Sequence, residues 1–173
     1  MARYATLCQE AGLVPIVEPE VLMDGDHTLE CCRKVTEEVP RNVFMQLNCQ
    51  RVLLEGMILK PNMVLPGLNC PAQESVDEAA DITVHGLLRT VPAAVPGVAF
   101  LSGGQSGELA SARLNAMNVR FKSRLPCRLR IFLGGTLIQR FSGPHALDTV
   151  FEERDKVQLR LARHGVQIIT RTE

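Results

Sequence analysis

Three short apolar runs in this sequence each end on a residue capable of chemistry. Val14-Pro15-Ile16-Val17 leads to Glu18 and Glu20, Leu53-Leu54-Glu55-Gly56-Met57-Ile58-Leu59 leads to Lys60, and Val98-Ala99-Phe100-Leu101 leads to Ser102-Gly103-Gly104. Glu18, Lys60 and Ser102 are spaced evenly, 42 residues apart. A fixed period of this size marks a repeated supersecondary unit. A lysine amine attacks a carbonyl only when neutral, so the pKa of a nucleophilic lysine must be lowered by burial or neighbouring cations. Two carboxylates two positions apart on a strand face the same way and suit general acid–base work. A Ser-Gly-Gly turn ahead of a helix offers free N–H groups and a helix N-terminus to a phosphate. Each feature also has a plainer reading: a solvated strand-end lysine, an acidic strand end, a simple turn. The shared spacing favours one repeat that carries all three.

The elements that would position these residues alternate. Residues 2–11 have helical spacing and end at Gly12. A strand over 13–18 precedes a helix capped by Asp26 or Thr28 and running to about Leu47, with Pro40 expected to kink or split it. A second strand spans 52–59, and a loop with three prolines spans 61–73. Ser75 opens a helix to Arg89 with Asp77 and Glu78 in its first turn, where the helix dipole favours acids. A third strand spans 97–101 and a helix spans 107–117. Alternation of this kind implies a parallel α/β sheet with chemistry at the carboxyl ends of its strands. The tail changes logic. A hairpin is expected from Arg128 to Ile138 around Gly134-Gly135, and Val157, Leu159 and Leu161 alternate with polar residues ahead of a His164-Gly165 turn.

The chain has 173 residues, 46% of them apolar. That supports one core but is short of the roughly 250 residues of a complete (β/α)8 barrel. No apolar run reaches the roughly 18 residues of a membrane span, and the start lacks a signal-peptide layout. The six cysteines form no C-x-x-C pair, so reduced thiols and a cytoplasmic setting are expected. Residues 1–118 carry a net charge of −6 and residues 119–173 carry +6. Phe121, Phe132, Phe141 and Phe151 are not arranged with the basic residues of that tail as a stacking platform, so no nucleic-acid partner is expected.

Val14 to Glu20, Asp24-Gly25-Asp26-His27, Leu54-Glu55-Gly56, Leu59-Lys60-Pro61-Asn62-Met63-Val64, Arg89-Thr90-Val91-Pro92, Phe100 to Ser106 and Asn115-Ala116-Met117-Asn118 together resemble class I fructose-bisphosphate aldolase. The likeness covers roughly residues 2–126. It implies part of a (β/α)8 barrel, a cytosolic and usually tetrameric glycolytic lyase, and no metal or other cofactor. Its substrate would be fructose 1,6-bisphosphate and its products dihydroxyacetone phosphate and glyceraldehyde 3-phosphate. By position, Lys60 resembles the Schiff-base lysine, Glu18 the proton-shuttling glutamate, and Glu20 the neighbour that orients the lysine. Ser102, Gly103 and Gly104 resemble the loop that holds a substrate phosphate.

The departures define the remaining expectations. The family's first four strands have no counterpart, nor do the aspartate and two lysines they carry. Gly135 stands where strand eight would bring a phosphate-gripping arginine, and Cys127 where a tryptophan would stand. Residues 1–126 are therefore read as a partial barrel and 127–173 as a divergent basic tail, accounted for by a reading frame shifted from an ancestral aldolase gene. Pro40 falls in a helix that the family leaves uninterrupted. A half barrel with open sheet edges is expected to cleave fructose 1,6-bisphosphate feebly or not at all by itself. It would form a homo-oligomer or associate with intact aldolase subunits. The alternative function is that of a non-catalytic remnant or interaction module on such subunits.

Overall fold

Ser75, Ser106 and Thr28 set three helix starts. Ser75 Oγ accepts the Glu78 N–H while the Glu78 carboxylate takes the Ser75 N–H, a complete capping box. Ser106 accepts from the Leu109 N–H, and Thr28, one of the two expected caps, accepts from the Cys31 N–H. The computed structural model describes residues 1–127, 129–133 and 136–138, with backbone alone from 131 onward. In chain order the elements are α1 (Ala2–Glu10), β1 (Ile16–Val17), α2 (Leu29–Cys49), β2 (Ile58–Leu59), α3 (Val76–Thr90), β3 (Val98–Phe100), α4 (Gly107–Arg120), β4 (Leu129–Leu133) and β5 (Thr136–Ile138).

The sheet order follows the chain, β1-β2-β3-β4-β5. The first four strands are parallel and β5 runs antiparallel to β4. Parallel neighbours need a crossover, and α2, α3 and α4 supply one each. α2 packs on α3 and α3 on α4. Strands added in sequence order, each covered by its own helix, are the winding of a barrel rather than of a sheet whose order reverses at a switch point. The chain is thus part of a (β/α)8 barrel. Its core joins Val17, Leu59 and Phe100 of the strands to Leu47, Val84 and Leu114 of the helices. Apolar burial of this kind is the main stabilising term.

Two expectations need correction. Pro40 does not split its helix: α2 is one element from Leu29 to Cys49. Cys32, Thr36, Pro40, Phe44 and Leu47 are buried in it at intervals of three or four residues, so the proline ring lies in the stripe that packs inward. Tertiary burial here outweighs the local cost of the missing N–H. The expected strand over 52–59 is shorter, because residues Leu54–Gly56 form a 3-10 turn. Gln9 of α1 explains it. Its Nε2 donates to the carbonyls of Leu53 (2.8 Å) and Gly56 (3.2 Å), and its Oε1 accepts the Leu53 N–H at 2.9 Å. A side-chain amide thus takes backbone bonds that a ladder would have used.

The tail keeps its expected hairpin and adds a second pairing. β4 and β5 do pair as a hairpin, with Phe132 opposite Leu137, but β4 also joins the sheet as its fourth parallel strand, with Ala99 opposite Arg130. Asn118 seats it: its Oδ1 accepts the Leu129 N–H and its Nδ2 donates to the Leu129 carbonyl, at 3.2 and 3.1 Å. The Gly134-Gly135 turn and the alternating stretch after residue 139 lie outside the described residues.

Glu37 ties α2 to α3. Its side chain is 9% exposed and takes Arg33 at 2.7 Å, Arg89 at 3.1 Å and Arg41 at 3.2 Å. Burial pushes its carboxyl upward, but the bonds from Arg33 and Arg89 outweigh burial and hold it below the usual range. A carboxylate depressed in the folded state contributes stability above its unfolded value, about 4.3. That contribution is lost as pH falls through the lower folded value. Glu37→Gln is expected to cost about 2 kcal/mol at neutral pH and to flatten the acid limb of a plot of Tm against pH. An unchanged acid limb would contradict this assignment.

Candidate functional site

The ladder puts two of the reactive side chains on one rung. Val17 lies opposite Leu59, so Glu18 and Lys60 follow at the same level, just past the carboxyl ends of their strands. The Lys60 N–H bonds the Val17 carbonyl at 2.8 Å and fixes that level. Above it, Lys60 Nζ donates to Glu18 Oε2 at 3.0 Å. The lysine side chain is 22% exposed and the glutamate 49%. The stem is thus largely shielded while the carboxylate stays in contact with water. A charge-assisted bond at this distance allows direct proton exchange between the two groups.

Glu20 does not share the rung. It lies two residues beyond Glu18, past the end of β1, and lines a cleft of about 240 Å³ with Met23, Leu68, Ser102, Gly103 and Gly104. Leu59 lies opposite Val98, so Lys60 is level with Ala99 and Ser102 stands three residues further along. At about 3.3 Å per residue that is about 10 Å beyond the lysine rung, measured along the strands. The same barrel end therefore presents an amine–carboxylate pair and, farther out, a Ser-Gly-Gly loop.

The backbone of that loop is unusual. Gly103 and Gly104 both take positive φ, 58° and 75°, a conformation that other residues adopt only with strain. Among the described residues, no backbone acceptor takes the N–H of Ser102, Gly103 or Gly104. Helix α4 begins at Gly107 and adds its positive end. Among the described residues no group of three or more His, Cys, Asp or Glu is placed to hold a metal ion.

Two residues that sequence reasoning left without a role build the walls. Asn62 is buried: its Oδ1 accepts the Val21 N–H at 3.1 Å and its Nδ2 donates to Thr36 Oγ1 at 3.1 Å. It thereby holds the chain just after Glu20 against α2. Gly67 is the second. The 61–73 loop is bonded to the 23–27 turn, with Gly67 N–H to His27 O, Leu68 N–H to Met23 O and Asn69 N–H to Gly25 O, all within 2.8–2.9 Å. A Cβ on Gly67 would collide with the Gly25 carbonyl. The chains can approach this closely only at glycine, a constraint invisible in the linear sequence. Gly67→Ala is expected to destabilise the chain by about 1–3 kcal/mol, measured by urea denaturation. Gly97→Ala, where a Cβ meets open space, is the control and should be close to neutral. Equal midpoints for the two variants would contradict the contact.

Comparison with known proteins matches this arrangement to one family. The family model for fructose-bisphosphate aldolase class-I matches residues 1–139. Fructose-bisphosphate aldolase B of Gallus gallus is 61% identical over 118 residues, covering 68% of this chain and 32% of that protein. The aldolase of Dictyostelium discoideum is 57% identical over 119 residues, covering 69% and 33%. The chain thus spans about a third of the length of these curated relatives. A solved structure of fructose-bisphosphate aldolase from Plasmodium falciparum, in complex with TRAP and a small-molecule inhibitor, superposes with a TM-score of 0.72 at 41% identity. It covers 92% of this chain and 46% of that one. A family match over most of the chain, on a barrel wound in the same way, shows that this protein belongs to the class I fructose-bisphosphate aldolase family.

Proposed function

We propose that this chain carries the Schiff-base half of an aldolase site, with Lys60 as nucleophile. The observation that carries this reading is the 3.0 Å bond between Lys60 and Glu18 at the barrel end that also holds the Ser102–Gly104 loop. Glu18 takes a proton from Lys60. The free amine then attacks the C2 carbonyl of a ketose phosphate, and the proton that the nitrogen sheds on forming the C–N bond passes to the oxygen to give a neutral carbinolamine. Glu18 returns its proton to the departing hydroxyl, water leaves, and a protonated imine remains. That imine is the electron sink: it accepts the pair released when the C3–C4 bond breaks. Glu20 orients the lysine and shapes the cleft, and the Ser102, Gly103 and Gly104 amides hold a phosphate. The substrate of the complete reaction is fructose 1,6-bisphosphate, split to dihydroxyacetone phosphate and glyceraldehyde 3-phosphate in the cytoplasm.

A second reading has its own support. Among the described residues β1 closes one side of the sheet with no strand beyond it, and an open edge invites pairing with another chain. On that reading the chain is a non-catalytic module that associates with aldolase subunits or with itself. Incubation with dihydroxyacetone phosphate and borohydride separates the two. Covalent capture supports the enzymatic reading. A chain that takes up no adduct but comigrates with intact aldolase supports the module.

A further inference from the structure

Arg113 of α4 is an anomaly that the imine chemistry does not use. It is 4% exposed. Its Nη1 donates to Gln105 Oε1 at 2.8 Å, and its Nε has no partner. Among the described residues no carboxylate lies within ion-pair distance of it, whereas Arg33, Arg41, Arg89 and Arg120 all have one. A buried guanidinium without an acid carries a desolvation cost that pairing would offset. Burial accordingly depresses its pKa. A buried group left in this state calls for an explanation at a nearby site.

The bonding chain leads to one. Gln105, held at its Oε1 by Arg113, donates from Nε2 to the Ser102 carbonyl at 3.0 Å, and its own N–H reaches the same carbonyl at 3.2 Å. Nε2 also contacts Met63 Sδ at 3.6 Å. The Ser102 carbonyl and the Gly103 N–H belong to one planar trans peptide, so they point in opposite directions. Two donors drawing the carbonyl toward Gln105 turn the Gly103 N–H away from it, on the loop that lines the cleft. We propose that Arg113 is a positioning residue for the anion loop: through Gln105 it locks the Ser102–Gly103 peptide in the orientation that presents its N–H to a phosphate. Its unneutralised charge adds an attractive field to the same loop.

The inference rests on the proposed reading of that loop as a phosphate site, and the test separates the two. Inorganic phosphate is titrated into the full chain while the amide resonances of Ser102, Gly103 and Gly104 are followed by NMR. Thermal midpoints are recorded in parallel. The unaltered chain should show saturable shifts at these amides. Arg113→Met should weaken phosphate binding about tenfold, the worth of one well-placed hydrogen bond, with the thermal midpoint unchanged or raised. Arg113→Lys should recover part of the affinity. If Arg113→Met fails to fold, Gln105→Met removes the link while leaving the arginine in place, and should weaken phosphate binding to the same degree. Saturable binding by the unaltered chain with equal affinity in the folded variants overturns the role of Arg113 alone. No shift at these amides in the unaltered chain overturns the phosphate loop, and this inference with it.

Discussion

Replacing Lys60 by methionine is expected to abolish borohydride-dependent capture of dihydroxyacetone phosphate by this chain. The argument is chemical before it is structural. Only an amine on a flexible stem can lose water with a ketone to give an imine, and a thioether cannot. The structure then says why the change should cost little else. Methionine has much the same length and follows the same shielded path, at a position 22% exposed. The Glu18 carboxylate left behind is 49% exposed and remains solvated. Loss of a partly exposed ion pair costs about 1 kcal/mol or less, so the variant should melt close to the unaltered chain. Intact-mass measurement after reduction checks it. Residual adduct in the variant would move the chemistry to Lys34, Lys122 or Lys156.

Glu18→Gln is expected to have the next largest effect. Glutamine fills the same volume and its Oε1 still accepts from Lys60, so the geometry at the rung should persist. It cannot take up a proton from the amine or return one to the carbinolamine hydroxyl. A positioned general acid–base is worth about 10²–10⁴ in rate, and capture by the variant should slow by a factor in that range. The check is a time course of adduct formation with quenched reduction. A variant that captures at the unaltered rate would assign the proton transfers to another group, with Glu20 the nearest candidate by sequence.

The two variants test residues that could be found from spacing alone, and there is a physical reason for that. Glu18 and Lys60 stand at equivalent ends of successive strands, so their 42-residue interval is one βα unit, and the ladder places them on one rung. Ser102 stands three residues past that level, so its equal interval does not mark an equivalent position. Ser75 and Thr28 were legible for a similar reason, because a cap acts on N–H groups two or three residues away. What stayed hidden depends on chain segments far apart. The Gln9 amide that converts residues 54–56 into a turn reaches across 44 and 47 positions. Asn62 reaches across 41 to Val21, and Gly67 matters only because Gly25 passes beside it. Pro40 does not split α2 because its cost is local while its benefit, a place in the buried stripe of that helix, is not. The expected hairpin of the tail forms, but the period-two pattern carried no sign that Leu129–Leu133 also extends the parallel sheet.

The measurement that addresses the central claim most directly is peptide mapping of the borohydride-reduced chain after incubation with dihydroxyacetone phosphate. A single glyceryl-phosphate adduct on Lys60, suppressed by competing inorganic phosphate, is the predicted result. An unmodified Lys60 under conditions that label a full-length aldolase, or an adduct spread over the remaining lysines, would contradict it.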